Sequence, residues 1–477
     1  MEKLKKIFKI SEAPSFWAWS AFALALLVIV ASFYYGDTAS ILRYEIHFIG
    51  NLLDGGKLTD YYDYVLRCSD GYGPVTGGNL ATYDFPMYIV LGIWGIPLYF
   101  MTAAKGIDVG ARIPFVVYGK GILVIALVVC LYLVYRIAKA MEMGEVRAKW
   151  AAFLCATSAF VYVAIGINGQ TDVIGVVFIL LGFYFYVNDM TDKGYMKFIL
   201  GFMLAVPFKM FAVFIFVALL LLRKKKVWEI AVSMVLVVLP KFLLNLAFDQ
   251  TSLAMTCKKE FEQQIYERLM ANHVPFGNGN VSTVVIMLGI VYVWCFLRKP
   301  AEDILEYRKN ALFATVASLV ALFSSFESSS YWFIHMVPFF ALMTAYNVGT
   351  FKTSMLFEVV AVVCHMFSDY GSRYWAYDIY NCNGMLMEKI LGRSYNNVEN
   401  AYLLQTFCGD TPIMRFNSAF QALFIVLMCA FVWINRPSKI TTEGEIKFRP
   451  AAVIRMIVNI IVTFIPLILF TYSLLRS

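Results

Sequence analysis

The chain is poor in charge and contains no long polar tract. Only 15% of its 477 residues are Asp, Glu, Lys or Arg, whereas about a quarter of the residues in soluble domains are charged. Hydrophobic residues make up 60%, and the mean hydropathy is +0.69. This composition excludes a soluble globular protein and a disordered chain. Apolar runs such as residues 21–32 and 211–222 need an apolar solvent, so the sequence predicts an all-α polytopic membrane protein.

Several motifs that identify common kinds of chemistry are also missing. The nine cysteines form no CxxC pair and no Cys/His cluster at metal spacing, so we predict no zinc or iron–sulfur site. There is no P-loop, HExxH or GxSxG motif, which argues against nucleotide-driven chemistry. The net charge of +8 comes from basic clusters in short loops and does not indicate nucleic-acid binding. A disulfide between Cys382 and Cys408 is one arrangement that their shared loop allows.

Basic clusters predict the sidedness of the chain, because cytoplasmic loops carry an excess of Lys and Arg. They occur at residues 3–9, 136–149, 193–197, 223–226, 298–309 and 436–449. Between them the chain must cross the membrane an even number of times, which places the N-terminus in the cytoplasm and the large loops outside. We expect an uncleaved first span over 14–35 and about 11–13 transmembrane helices in total.

The other apolar segments follow from the same constraint. Residues 85–101 contain two prolines and are expected to form a re-entrant or in-plane segment. Between the clusters at 193–197 and 223–226 there is length for only one straight crossing, so two half-length helices should meet near Pro207 and Lys209. The remaining predicted spans are 112–135, two within 150–192, 227–247, 281–297, 311–326, 331–347, 353–368, 415–435 and 453–474.

We interpret the chain as one integral membrane domain, 1–477, with two parts. A helix module over 14–250 includes an acidic external loop, 36–111, and is expected to be catalytic. A second, variable module over 251–477 includes a long external loop, 370–414.

Acidic residues in the first external loop are candidates for a general base near the membrane surface. Asp37 lies closest to the end of the first span, and Glu45 follows eight residues later on a predicted amphipathic helix. Asp84 stands where the chain returns to the membrane beside them. Any one acid in such a loop is more often only solvated, so the sequence leaves open which of them is the base.

Charges inside apolar runs indicate function, because each costs about 2.5–3.5 kcal/mol at the bilayer centre. Lys209 follows Pro207 in an otherwise uncharged segment and suits an anionic phosphate group, although it could also be a snorkelling lysine. Asp172 ends the sequence NGQTD; with Gln170 it suits a sugar or polyol hydroxyl, although an Asp here could equally cap the next helix.

Later residues add further candidates at the outer ends of predicted spans. Tyr331 and His335 are four apart and are expected to share one helical face, although a single His in such a place is more often a core residue. In the loop 370–414 or directly after it, Arg373, Arg393 or Arg415 could meet a phosphate or diphosphate.

Taken in order, these features resemble the GT-C class of polytopic glycosyltransferases, which use polyprenyl-phosphate sugars outside the cytoplasm. The resemblance covers about residues 14–350. It rests on an acidic loop after the first span (37–56) and an aromatic-proline re-entry (83–88, YDFPMY). The sequence GQTD (169–172) is similar to the GQxD of mannosyltransferase-like members. A lysine at a helix break (206–209, VPFK) and a Tyr…Pro element (330–338) complete the set. The usual acidic pair after the first span is absent, so Asp37 and Glu45 both remain candidates.

The resemblance implies an inverting transfer of a sugar from a polyprenyl-phosphate donor to the hydroxyl of a lipid-linked or glycan acceptor. Asp37 or Glu45 would be the base, and Lys209 with Arg373 would hold the phosphate. The remaining five residues would bind the sugar or acceptor: Asp172, Gln170, Asp84, Tyr331 and His335. Some members use Mg²⁺ or Mn²⁺ and others no metal, and the sequence does not choose.

The expected setting is a plasma membrane, with a bacterial inner membrane favoured and the active site outside. Membrane lipids and the donor lipid would be partners, and nucleic acid would not. The main rival hypothesis is a transporter or flippase of an anionic lipid-linked or small polar substrate, with Lys209 and Asp172 as substrate contacts. Such a protein would show broken spans at matching positions in two halves, which the sequence does not indicate. A third is a membrane scaffold without catalysis.

Overall fold

A computed structural model describes residues 13–69, 80–107, 109–277, 279–372, 382–392, 417–444 and 449–476. Helices dominate these segments, and the only strands among them form one short hairpin. The first half contains helices α1 to α10: Phe16–Ser32, Gly36–Leu53, Tyr61–Ser69, Phe85–Met101, Ile113–Ala140, Glu145–Ala156, Ala159–Val161, Asp172–Asn188, Asp192–Ala205 and Ala212–Leu222. A π-helix, Tyr162–Ile167, continues α7.

The second half contains helices α11 to α19: Val227–Leu246, Leu253–Met270, Thr283–Leu297, Ile304–Phe323, Val337–Tyr346, Phe351–Ser372, Gly384–Leu391, Asn417–Ile434 and Arg449–Arg476. Strands β1, His273–Phe276, and β2, Gly279–Ser282, pair antiparallel between α12 and α13. Five short 3₁₀-helices connect these elements: Leu58–Asp60, Ala103–Lys105, Ser330–His335, Val348–Thr350 and Pro437–Lys439.

Long apolar helices indicate that the chain crosses a membrane several times. Six described helical segments are long and apolar enough to do so: 85–105, 113–140, 227–246, 348–370, 417–434 and 451–472. A bent pair over 145–167 makes a seventh, and five shorter apolar helices have 10–17 residues. The all-α, multi-pass prediction is therefore confirmed, but its count of 11–13 is not reached by length, because several predicted spans consist of short or broken helices.

The individual spans differ from prediction in an instructive way. Residues 85–101 form one continuous helix, α4, in which Pro97 is tolerated, and the segment is long enough to cross. Its re-entrant or in-plane placement stays a prediction. By contrast, α2 and α3 of the first acidic loop are not among the candidate spans. α2 packs along α4 and α5, and its residues 44–48 are all buried, so the middle of the helix is enclosed on every side.

The predicted break near Lys209 is confirmed. Helix α9 ends at Ala205 and α10 begins at Ala212, and the amides of Phe208 and Lys209 both donate to the carbonyl of Ala205. Because Pro207 cannot donate an amide, a straight helix through this point would lose a backbone hydrogen bond. The segment therefore turns in the way that the charge pattern required.

A second break, at residues 157–158, separates α6 from α7 and bends the span by 53°. Thr157 lies at this point, and two side chains of α19 donate hydrogen bonds to its hydroxyl and its carbonyl oxygen. Arg455 donates to the Thr157 hydroxyl over 2.9 Å, and Asn459 donates to the Thr157 carbonyl over 2.9 Å. Arg455 also makes a two-pronged pair with Glu358 of α16. The side chain of Asn459 thus provides the backbone carbonyl at the bend with a partner, as membrane helices require.

Basic residues from the predicted cytoplasmic clusters gather at one end of the helix bundle. There they bind carbonyl oxygens at the C-termini of helices, where the helix dipole favours positive charge. Arg147 donates to the carbonyls of Ala345 and Tyr346, at the end of α15, and Lys224 donates to Cys295 near the end of α13. Arg223 contacts the chain just after α8. These residues therefore stabilise the fold in addition to any role in orientation.

Candidate functional site

Four segments that are distant in sequence meet at the other end of the bundle. They are the start of α2, the stretch 80–84 before α4, the loop 168–171 before α8, and the break 206–211. The side-chain amide of Gln170 donates to Asp37 across 133 residues of sequence. The hydroxyl of Tyr83 lies 3.5 Å from the amide oxygen of Gln170. Predicted acid and predicted hydroxyl-binding amide are thus direct neighbours.

Lys209 and Asp172 form a largely buried ion pair beside this contact. Their Nζ and Oδ1 atoms are 2.5 Å apart, and the side chains are 19% and 1% exposed. Asp172 lies in the first turn of α8, where the helix dipole favours a carboxylate. Its second oxygen, Oδ2, is buried and has no hydrogen-bond partner among the described residues. One face of the pair therefore retains an unused acceptor.

The fold allows this close approach through a glycine. A Cβ on Gly175, three residues into α8, would lie 3.1 Å from the Cβ of Lys209. Aromatic rings surround the ammonium group: Lys209 Nζ is 5.9 Å from the ring centre of Tyr83 and 5.6 Å from that of Phe211. Such rings attract a cation through their negative faces, so they add to the stabilisation of the Lys209 ammonium group beside Asp172.

Asp37 has the electrostatics that a general base needs. Burial raises the pKa of its carboxyl from 3.8 to about 6, and the hydrogen bond from Gln170 partly opposes the rise. The negative charge of Asp172 raises this pKa further, while the positive charge of Lys209 lowers it. A carboxylate with a pKa just below neutrality is ionised at pH 7 and accepts a proton more readily than an ordinary Asp.

His335 lies close to Asp172 and Lys209, but Tyr331 does not lie on the same helical face as His335. The two belong to a 3₁₀-helix, Ser330–His335. With three residues per turn, positions four apart point in different directions, so the prediction of one shared face is wrong. His335 is buried, contacts the ring of Phe211, and is close enough to Asp172 and Lys209 for an electrostatic interaction. Its Nε2 has no partner among the described residues.

Glu45 is not part of the cluster. Eight residues along α2 carry it about 12 Å from Asp37 and about 80° around the helix axis. It is fully buried, beside Gly95 of α4 and Gly119 of α5, and burial raises its pKa well above the ordinary value. Neither of its carboxyl oxygens has a described partner. Glu45 is therefore a buried acid and not a solvated one, and its role as a base stays a prediction.

Asp84 belongs to a separate ion cluster that joins α4, α11 and α12. Its two oxygens accept from Lys241 over 2.7 Å and from Lys258 over 2.9 Å, and both lysines also bind Glu262. This cluster fixes the chain immediately after Tyr83, so Asp84 has a clear structural position beside the site. Arg373, Arg393, Arg415 and Cys408 lie outside the described residues.

The sequence reasoning missed two contributors. Tyr83 was part of the quoted re-entry motif but was not assigned to the site. Lys120 lies in the apolar run of α5, and a charge in such a run is by itself a signal of function. Glu358 and Arg455, noted above, carry the same signal.

Comparison with models of known protein families finds no match, and comparison with curated proteins finds no relative. Within the described part of the chain, no three His, Cys, Asp or Glu residues are placed so that they could hold a metal ion. The acceptors near the centre are Asp37, Asp172 and Gln170, and Lys209 already occupies one of their oxygens.

Proposed function

We propose that the protein is a GT-C type glycosyltransferase, which moves a sugar from a polyprenyl-phosphate donor to an acceptor hydroxyl. One observation carries the proposal. Asp37, Gln170, Asp172 and Lys209 were selected from the sequence as base, sugar ligands and phosphate ligand, and they come together from three separate segments. Residues that were only scattered loop acids and snorkelling lysines would have no reason to converge.

The proposed reaction assigns one role to each member of the cluster. Asp37 takes the proton from the acceptor hydroxyl, whose oxygen attacks the anomeric carbon from the side opposite the phosphate. The bond between that carbon and the phosphate oxygen breaks, and the configuration inverts. Lys209 meets the charge of the departing polyprenyl phosphate. Gln170 donates hydrogen bonds to sugar hydroxyls or accepts them, and the unused oxygen of Asp172 accepts one.

The proposed placement is at the outer face of a plasma membrane. The cluster lies at the end of the bundle opposite the basic residues that bind the C-termini of α8, α13 and α15. Since cytoplasmic loops are the basic ones, this arrangement favours an external site. Apolar surfaces of the helices would hold the polyprenyl tail of the donor.

The test is transfer of radiolabelled sugar by the purified protein in lipid vesicles, with a panel of polyprenyl-phosphate sugars as donors. Asp37→Asn and Lys209→Met should each abolish sugar transfer. Each should also abolish the slow hydrolysis of the donor by water. Asp192→Asn is the matched control, because Asp192 is an exposed acid paired with Lys225 at the other end. Wild-type activity with Asp37→Asn, or no reaction with any donor, would contradict the proposal.

A transporter or flippase is the second candidate, and one observation favours it. Both members of the Lys209–Asp172 pair lie at breaks between apolar helices: Lys209 is within the break at 206–211, and Asp172 directly follows the break at 168–171. Secondary transporters build their substrate sites from broken helices. If labelled lipid crosses the vesicle bilayer in a manner that depends on Lys209, and no sugar is transferred, this candidate replaces the transferase.

A further inference from the structure

Lys120 is a buried cation held by backbone carbonyl groups. Its side chain projects from the first third of α5, and the residue is 1% exposed. Its Nζ lies 2.8 Å from the carbonyl oxygen of Phe33 and 2.6 Å from that of Gly166. The carbonyls of Val30 and Ile167 are at 3.3 and 3.5 Å. Two of these oxygens belong to the end of α1 and two to the end of the π-helix.

Backbone charge, rather than a carboxylate, balances this ammonium group. No described ion pair includes Lys120, whereas the four carbonyls that it contacts stand at the C-termini of two helices. Each helix C-terminus carries roughly half a negative charge. Two such ends together offset about one positive charge, so a monovalent cation fits among the four carbonyl oxygens. A neutral side chain would leave the negative charge of the two helix ends uncompensated.

The two helix ends are also the ones that deliver the candidate site. Asp37 follows four residues after Phe33, and Gln170 follows four residues after Gly166. Between them, the hydroxyl of Thr38 donates to the carbonyl of Asn168 over 3.1 Å. Gly169 has a φ of +69°, and a Cβ there would lie 3.5 Å from Cε of Lys120. The lysine therefore lies directly beneath the contact between the two segments.

We propose that Lys120 is a positioning residue, a tethered monovalent cation whose carbonyl cradle holds the turn before Asp37 against the turn before Gln170. The inference goes beyond the transferase proposal and does not depend on it. When the side chain is shortened, the cradle becomes a binding site for a primary alkylammonium ion.

The test is chemical rescue of Lys120→Ala with n-propylammonium, which supplies the three carbons and the nitrogen that the substitution removes. The melting temperature of the variant should be lower than that of the wild type and should rise saturably with n-propylammonium. It should not respond to n-propanol, which has the same shape without the charge. Leu123→Ala is the matched control, since Leu123 is fully buried one turn further along α5 and its cavity has no carbonyl cradle.

A second readout separates positioning from a merely structural role. A carbodiimide labels protonated carboxyl groups, so the rate of labelling at Asp37, followed by mass spectrometry, should have its midpoint near pH 6 in the wild type. In Lys120→Ala the midpoint should fall toward 3.8, because Asp37 gains solvent, and n-propylammonium should restore it. A lower melting temperature with an unchanged midpoint would overturn the proposal.

Lys120→Met tests the same role of the charge if the alanine variant does not fold. Methionine fills the same space without a charge, so the labelling midpoint at Asp37 should fall in this variant also. A Lys120→Met protein with the melting temperature and midpoint of the wild type would show that the cradle needs no cation. Failure of sugar transfer in the wild type would leave both readouts intact.

Discussion

Asp37 should make the stability of the protein depend on pH in the acidic range. Its pKa rises from 3.8 to about 6 on folding, mainly because of burial. A raised pKa means that the folded state binds the proton more tightly, so the resulting stabilisation is complete below pH 3.8 and is lost as the pH rises through 6. At about 1.36 kcal/mol for each pH unit, the total change in unfolding free energy is about 3 kcal/mol.

Asp37→Asn isolates this contribution, because Asn cannot take up a proton. The unfolding free energy of each protein would be measured in mixed micelles from pH 4 to 8. The value for the wild type minus that for the variant should fall by up to about 3 kcal/mol and become constant above pH 7. Asp249→Asn is the control: Thr251 lowers the pKa of this exposed carboxyl below 3.8, so its difference should stay nearly constant above about pH 5.

Neighbouring charges should move the midpoint of this transition in known directions. Asp172 raises the pKa of Asp37 and Lys209 lowers it. Asp172→Asn should therefore shift the midpoint to lower pH, and Lys209→Met should shift it to higher pH. A difference curve that is flat, or one that rises with pH, would refute the conclusion that folding raises the pKa of the Asp37 carboxyl group.

Three further changes test other parts of the structure. Lys209→Met should destabilise the protein by about 3–5 kcal/mol, since it leaves the buried Asp172 carboxylate unpaired, and the double variant with Asp172→Asn should recover part of this in equilibrium unfolding. Glu45→Gln should increase the unfolding free energy at pH 8 more than at pH 5, because burial raises the pKa of this carboxyl. Gly169→Ala should lower the melting temperature more than Gly55→Ala. Both glycines have a positive φ, but only at Gly169 would the new methyl group meet another side chain, the hydroxyl of Thr38 at 2.6 Å.

Local signals predicted the parts of the site that depend on local structure. The break at 206–211 follows from a proline and a lysine in an apolar run between two basic clusters. Asp37 follows from its distance to the end of the first span. Asp172 follows from a polar sequence between two apolar helices. In each case a few neighbouring residues determine at which end of a helix the side chain lies.

Burial that depends on distant partners could not be predicted in this way. Glu45 is enclosed because Gly95 and Gly119, from two other helices, allow close packing against α2. Lys120 draws its carbonyl partners from residues 46 to 90 positions away. His335 was misplaced for a different reason: the sequence pattern suits an α-helix, but the segment forms a 3₁₀-helix that rotates it away from Tyr331.

The way in which the broken helices are held bears on the choice between the two proposed functions. A break leaves backbone groups without partners, and inside a membrane each must be satisfied by the protein. At 157–158 Arg455 and Asn459 bind Thr157, and at the end of the π-helix Lys120 binds Gly166. A transporter must let such segments move against each other during alternating access, which would break these contacts. Buried cations that clamp both ends of the segment before Asp172 are better suited to a fixed site, as a transferase needs.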